Sequence, residues 1–281
     1  MKNKTLVFGA LGRMGSEIIK ALPNDIAIRA ADIARAGKFS SHVEEVIFDF
    51  NHIPDNLDHL LSDVRNMFLL WPPGVDTKTS IQPFIKAAAE YGVEQVVFLS
   101  ILGADKLKVV PHRSVEKMLE ASGMNWVFLR SAYFMQNLTG MHAPEIREKN
   151  ELFIPAGYGE LGFVDVRDVA AVGAKAMMED HQNKAYSLTG KEGLTFSQVA
   201  VIFSEVMNKP IRYSNPSVLK FFRHMSKRGV PKGLIVFMVI EYTATKLGKS
   251  GLVTDEISRI LGRPPRTIKE FVQDHLDVWQ T

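Results

Sequence analysis

The chain has 281 residues, with 34 Lys and Arg against 31 Asp and Glu and a formal net charge of +3 with His neutral. Hydrophobic residues make up 46% and charged residues 23%, enough apolar material for a full core, which excludes a disordered regulator, a fibrous repeat and a mini-protein. The absence of Cys excludes disulfides, thiol nucleophiles and Cys-ligated zinc, and so small a charge without a Lys/Arg block gives no expectation of a nucleic-acid partner.

In chain order, Thr5–Phe8 reads as a buried strand that stops at Gly9, too short for the apolar region of a secretion signal. Met14–Leu22 reads as a helix ending before Pro23. Ile26–Ala31 and Val46–Phe50 are the second and third strands, Leu57–Leu61 a short helix, and Met67–Leu70 a fourth strand ended by Pro72, Pro73 and Gly74. An amphipathic helix follows over Ile81–Tyr91, with Gly92 suited to its C-terminal turn. Gln95–Leu99 is a fifth strand, Val115–Ala121 a helix and Trp126–Leu129 a sixth strand. Alternation of this kind, with wholly apolar strands, predicts an α/β fold: a doubly wound parallel sheet covered on both faces.

After about residue 140 the rhythm weakens. Helices are expected over Val166–Met178 and Phe196–Met207, a short strand over Ala185–Leu188, and mostly helix beyond Val218. The reading is a Rossmann-like core over 1–140. Residues 141–281 complete it and form a smaller, mostly helical, substrate-binding lobe. The apolar run Leu234–Ile240 is closed by Glu241 and falls far below the ~20 residues of a membrane helix. A soluble cytoplasmic protein with no membrane partner is expected; oligomeric state is left open. Phe221, Phe222, Phe237 and Met238 read as core, or equally as a lid over a flat apolar substrate.

Between the first strand and the first helix stands Gly9-Ala10-Leu11-Gly12-Arg13-Met14-Gly15. In such a turn one glycine permits the sharp bend, another lets backbone approach a pyrophosphate, and a third allows close packing of helix on strand. The helix N-terminus then presents free N–H groups to the phosphates. No Lys-Ser/Thr end of a P-loop is present, so ATP is not expected. Asp32, about 20 residues on, suits the adenosine ribose hydroxyls and would repel a 2′-phosphate. Arg13, Arg35 and Lys38 pull toward NADPH, and the balance leans to NADH. Trp71, Pro72 and Pro73 after the fourth strand, and Ser100 and Ile101 after the fifth, occupy the strand ends where cofactors lie in open α/β sheets. Asp49 and Phe50 are placed to meet the adenine. Tyr133, Phe134 and Asn137 are candidates for the substrate pocket. The eight His residues show no metal-ligand spacing, so no metal is expected.

These segments, with Val97–Ser100, Gly103-Ala104-Asp105, His112–Leu119, Leu129-Arg130, Tyr133–Leu138, Phe163–Ala170, Tyr186–Gly190 and Leu261–Pro264, occur in an order that resembles the NmrA-like group of atypical short-chain dehydrogenases/reductases. That group includes NAD(P)H:quinone oxidoreductases, triphenylmethane reductases and a fungal nitrogen-regulation protein. Ordinary short-chain dehydrogenases use Tyr-x-x-x-Lys; the matching helix here carries His112-x-x-x-Glu116, a substitution typical of the quinone-reductase-like members. Tyr242-x-x-x-Lys246 lies far past that place and reads as coincidence. The group's usual basic residue for NADPH is missing at Ala31 and Asp32. The resemblance implies an NAD(P)H-dependent reductase that passes hydride to a quinone-like or other conjugated small molecule, which needs no strong protein acid. His112 and Glu116, one turn apart on a helix, are the catalytic candidates, with Glu116 holding the His112 tautomer. The competing reading is a non-enzymatic redox sensor that binds NAD(P) and acts through a protein partner.

Overall fold

A computed structural model of the chain describes residues 3–37, 39–107, 110–179 and 181–280. The order begins β1 (Lys4–Phe8), α1 (Arg13–Ala21), β2 (Ile28–Asp32), β3 (Val43–Ile47), α2 (Asp58–Leu61), β4 (Val64–Leu70), α3 (Gln82–Glu90), β5 (Gln95–Ile101), α4 (Pro111–Glu120) and β6 (Asn125–Ser131). Next come β7 (Tyr133–Phe134), α5 (Gln136–Thr139), α6 (Ala143–Lys149), β8 (Glu151–Leu152), β9 (Leu161–Val164), α7 (Val166–Met178) and β10 (Lys184–Leu188). The remainder is β11 (Gly193–Leu194), α8 (Phe196–Met207), β12 (Arg212–Tyr213), α9 (Val218–Lys227), α10 (Lys232–Lys246), α11 (Glu256–Leu261) and α12 (Ile268–Asp274).

Two compact units result. The first is Met1–Ser131 with Val166–Leu188; the second is Ala132–Asp165 with Thr189–Thr281. The change of unit thus falls at Ser131 rather than at the expected residue 140, and the chain returns to the first unit for α7 and β10. The reason is pairing: β10 joins the sheet in parallel beside β6, and α7 packs on α1.

Among the described residues the first unit holds a seven-stranded sheet of order β10-β6-β5-β4-β1-β2-β3, with every pairing parallel. Strand order reverses between β1 and β4, which opens a crevice at their C-terminal ends. The apolar strands are covered on both sides, as their sequences require. Leu6 and Phe8 join one core with Phe84, Val115 and Leu119, while Val7 between them is equally buried. On the α1/α7 side, Gly173 allows close approach: a Cβ there would lie 2.7 Å from Ile18 and 3.0 Å from Leu129.

Two elements differ from the sequence expectation. β3 runs over Val43–Ile47, not Val46–Phe50. Phe48 and Phe50 lie beyond it and pack with Phe8 and Phe84 at centroid distances of 4.9 to 5.5 Å, so the apolar run reflects an aromatic core rather than a strand. α4 begins at Pro111, not Val115; proline is suited to the first helical position because no intrahelical partner waits for its missing N–H. Ser100 and Ile101 are the last residues of β5 rather than the first after it.

The second unit has a three-stranded sheet β11-β9-β7 and a β12-β8 pair among several helices. Its core includes Tyr133, Phe163, Phe196, Phe203, Phe221, Tyr242, Phe271 and Trp279. Thr195 and Thr267 start α8 and α12 with reciprocal capping boxes to Gln198 and Glu270, each satisfying two N–H groups that the helix leaves open. Phe221 and Met238 are core, whereas Phe237 is 51% exposed. Among the described residues no helix is long and apolar enough to cross a membrane.

Candidate functional site

The glycine turn sits at the C-terminal end of β1. Gly9 has φ +63, a conformation that L side chains rarely adopt, and a Cβ on it would meet Leu70 at 2.6 Å. Gly12 is the N-cap of α1, so no side chain caps that helix. Gly15 is packed most tightly: a Cβ would stand 2.1 Å from the Gly9 carbonyl oxygen and 2.9 Å from Ala10 Cα. The turn is therefore glycine by steric necessity, and it leaves a helix N-terminus without a capping side chain, with Met14 packed beneath it. Such a terminus is suited to phosphate.

Asp32, at the end of β2, is bonded to this turn. Its Oδ2 accepts from Leu11 N at 2.8 Å and its Oδ1 from Ile33 N at 2.8 Å. A carboxylate has about four acceptor sites, so ribose hydroxyls remain within its capacity. Arg13 and Arg35 are exposed; Lys38 lies outside the described residues. Beyond β3, Asp49 is engaged locally: it accepts from Asn51 N at 2.8 Å and from His52 Nδ1 at 2.9 Å. The bonds from Asn51 and His52 hold its carboxyl below the usual range. The Phe50 ring is buried in the aromatic core, which leaves backbone, not the ring, for any adenine contact.

Trp71 follows β4. Its Nε1 donates to Val75 O at 2.9 Å, fixing the Pro72-Pro73-Gly74 turn, and its ring meets His112 edge-on at 5.4 Å. Gly9, Leu70, Trp71 and His112 thus form a continuous edge along the crevice side of the sheet. Burial lowers His112 to about 4, opposed by the charge of Glu116, so its imidazole is neutral near pH 7. Among the described residues neither ring nitrogen has a hydrogen-bond partner, which leaves one donor and one acceptor for a ligand.

Glu116 does not hold that imidazole. Its fully buried carboxylate accepts from Ser100 Oγ at 2.8 Å, from Arg113 Nη1 at 2.9 Å, and from Arg130 Nε and Nη2, both at 2.9 Å. Burial would raise its pKa, but the bonds from Arg130, Ser100 and Arg113 outweigh it and hold the group below the ordinary range. Glu116 is an ionised anchor tying α4 to β5 and β6. Ser100, 1% exposed, is turned toward it rather than toward a cofactor; Ile101 is half-buried at the strand end. Arg130 and Arg113 are site residues that the sequence motifs do not single out. The available signal was a charged residue inside an apolar strand, directly in register with Ser100.

The substrate candidates lie in the second unit. Tyr133 is 5% exposed; its hydroxyl meets that of Tyr242 at 3.2 Å, and its ring packs on Phe163 and Phe196. That is a core position. Phe134 and Asn137 are half-buried on β7 and α5 and remain available. Tyr242 is itself buried and bonded to His142 Nε2 at 2.7 Å, and burial pushes its hydroxyl well above the ordinary range. The Tyr242-x-x-x-Lys246 spacing therefore belongs to an interior tyrosine. No cluster of three His, Asp or Glu residues capable of holding a metal occurs among the described residues.

The model of the NmrA-like family matches residues 1–271. The chain is 30% identical over 285 residues to an NAD(P)H azoreductase from Xenophilus azovorans, covering 96% of this chain and 97% of that protein. Its fold matches an NADPH-dependent quinone oxidoreductase from Escherichia coli complexed with NADPH, with a TM-score of 0.84, 25% identity and coverage of 97% and 99%. A Citrobacter triphenylmethane reductase complexed with NADP(H) shares the fold, with a TM-score of 0.83 at 24% identity and coverage of 96% and 99%.

Proposed function

The chain belongs to the NmrA-like family, and from that premise we propose that it is an NAD(P)H-dependent oxidoreductase passing hydride to a quinone-like, azo or other conjugated small molecule. The observation that carries this reading is the glycine turn, where a side chain on Gly9 or Gly15 would collide with Leu70 or with backbone and where α1 starts without a capping side chain. That cradle fits a dinucleotide pyrophosphate. Gly9, Leu11 and Gly12 would shape the turn, with the Leu11 and Gly12 amides bonded to Asp32 and Gly9 O; the amides of Arg13, Met14 and Gly15 would meet the phosphates, Asp32 the ribose, and Trp71 with the turn after it the far end of the groove.

When bound, the reduced dinucleotide supplies the hydride. The chain supplies position and no strong acid. Glu116 stays ionised and fully bonded, and His112 is neutral and turned to the same edge as Trp71. A neutral imidazole can orient a carbonyl or ribose hydroxyl by hydrogen bonding but is a poor proton donor at pH 7. Quinones and azo groups suit such a site, because their reduced heteroatoms take protons from water. Alcohol–ketone interconversion, which uses a positioned acid, does not. Of the two catalytic candidates, His112 is thus a ligand-contacting residue and Glu116 a positioning one. Phe134 and Asn137 are the substrate-binding candidates with accessible surface.

Asp32 supports a preference for NADH, since its carboxylate, fixed by Leu11 N and Ile33 N, would face a 2′-phosphate. Loss of nicotinamide absorbance, measured with NADH and NADPH in parallel against quinones and azo dyes, tests the reading. Turnover is expected; dinucleotide binding without turnover of any of these acceptors would favour the sensor. Asp32→Asn keeps an acceptor for Leu11 N and removes the charge. It is expected to shift the NADH:NADPH affinity ratio toward NADPH by about 1–2 kcal/mol, roughly 5- to 30-fold, the size of one screened charge pair. An unchanged ratio contradicts the assignment.

A further inference from the structure

We infer that the α9–α10 hairpin of the second unit is a docking surface for an anionic lipid membrane, which it meets in the interfacial plane without spanning it. Between Ser217 and Leu252 there are seven Lys and Arg and one acid, Glu241. The chain as a whole carries only +3, so this short stretch holds +6 and the rest of the molecule −3.

The charges are ordered. On α9, Phe221 and Met225 are buried, while Lys220, Arg223 and Lys227 are exposed at i, i+3 and i+7, one stripe of a helix. On α10, Lys232 stands at the start and Lys246 at the end, with Lys249 just beyond; all three are exposed. Among the described residues none of these six is in an ion pair.

The surface between them is apolar. Ile235, Met238, Tyr242 and Thr245 form the buried face of α10. On the opposite side Val236 is 49% exposed, Phe237 51%, Ile240 63% and, just past the helix end, Leu247 64%. A helix apolar on both sides is ordinarily covered on both, and an exposed patch of this kind marks an interaction site. Leu219, 59% exposed, extends the apolar surface onto α9.

Lipid fits this composition better than a protein does. Protein interfaces are enriched in aromatic residues, Met and Arg and depleted of Lys. Here five of the six framing cations are Lys, and of the exposed residues Leu219, Val236, Phe237, Ile240 and Leu247 only Phe237 is aromatic. An apolar helical face framed by Lys and Arg is the pattern of helices that lie at the headgroup boundary, where long basic side chains cover apolar surface and keep their charges at the phosphates. The helix is 15 residues long, about 22 Å at 1.5 Å per residue, enough to lie along a surface but short of the ~20 residues a span requires. The inference does not depend on the identity of the electron acceptor.

The test is flotation of the full chain with phosphatidylcholine vesicles, with and without phosphatidylserine, over a salt series. Binding is expected with phosphatidylserine only and is expected to fall with salt, because the attraction decays within a Debye length. Lys220→Gln with Lys227→Gln should weaken binding about 25-fold, at about fivefold per charge near an anionic surface. Ile240→Ser with Leu247→Ser should abolish what remains at high salt. Circular dichroism of both variants should match the parent, since all four positions are exposed. No flotation on phosphatidylserine vesicles at low salt, equal binding to both vesicle types, or wild-type binding by either double variant overturns the inference. A chain that ignores vesicles but is dimeric by light scattering, and monomeric as Ile240→Ser with Leu247→Ser, overturns it in favour of a second copy.

Discussion

Replacing Gly15 by Ala inserts one methyl group at the point where α1 crosses the end of β1. Its Cβ would stand 2.1 Å from Gly9 O, 2.6 Å from Gly9 C and 2.9 Å from Ala10 Cα. All three are backbone atoms of the same tight turn, so no side chain can rotate away. Alanine would gain about 1 kcal/mol over glycine as a helix former, while overpacking typically costs about 1–3 kcal/mol and lies at the upper end where backbone must move. The net loss is about 2 kcal/mol, roughly thirtyfold in the folding equilibrium. The displaced turn also misaims its amides. One lost charge-assisted hydrogen bond to a phosphate costs about 1.5–3 kcal/mol, tenfold or more in dinucleotide affinity. Gly233, near the start of α10, is the control: a Cβ there meets nothing within 4 Å, so Gly233→Ala should be neutral or stabilise by up to about 1 kcal/mol. Denaturant midpoints with and without NADH, together with a fluorescence titration of NADH, measure both effects. Wild-type stability and affinity in Gly15→Ala would refute the packing of helix on turn described above.

Other substitutions separate anchoring from chemistry. Glu116→Gln leaves Arg130 and Arg113 facing a neutral amide in a buried place and should cost about 3 kcal/mol in stability. Because the folded pKa of Glu116 is depressed, its contribution is present above the unfolded carboxylate pKa and lost as pH falls through the folded one. The difference between wild-type and Glu116→Gln unfolding curves should therefore shrink in acid, and a difference constant down to acid pH contradicts this. His112, lowered to about 4, binds fewer protons folded than unfolded between about pH 4 and 6.5, so it makes stability rise with pH across that window. It should also give no inflection near 6.5 in the pH–rate profile, and an inflection there that vanishes in His112→Phe would show that the imidazole titrates in function. Tyr242→Phe removes the hydroxyl between Tyr133 and His142, whose Nδ1 already lacks a partner, and should cost about 1–3 kcal/mol without changing nicotinamide turnover; lost turnover in a folded variant would bring that hydroxyl into the reaction.

The parallel sheet was legible because its strands are apolar without alternation, and α7 and α8 match their expected spans, Val166–Met178 and Phe196–Met207. What misled was side-chain direction. Val46–Phe50 is apolar enough for a strand, yet Phe48 and Phe50 serve an aromatic core beyond the strand end. Helical spacing placed Glu116 one turn from His112, but spacing cannot show that Arg130, a strand away in space and 14 residues on in sequence, claims the carboxylate first. The sequence around Tyr133 carries no sign that its hydroxyl meets that of Tyr242, more than 100 residues later. Net charge averaged away the division between the α9–α10 hairpin and the remainder. The expectation of no membrane partner rested on span length, which speaks only to crossing a bilayer.

The return of Val166–Leu188 to the first unit has a consequence for synthesis. The sheet cannot gain its edge strand β10, nor α1 its partner α7, until residue 188 has left the ribosome. By then Ala132–Asp165 is already outside and waiting for Thr189–Thr281. Each unit is thus held incomplete by the other's segment during translation. A chain cut after residue 140 would expose the apolar side of α1 and of β4, β5 and β6 to water, so the first unit cannot be prepared as an N-terminal fragment. A chain in which 166–188 follows Ser131 directly, with 132–165 deleted, is the form in which it should fold alone.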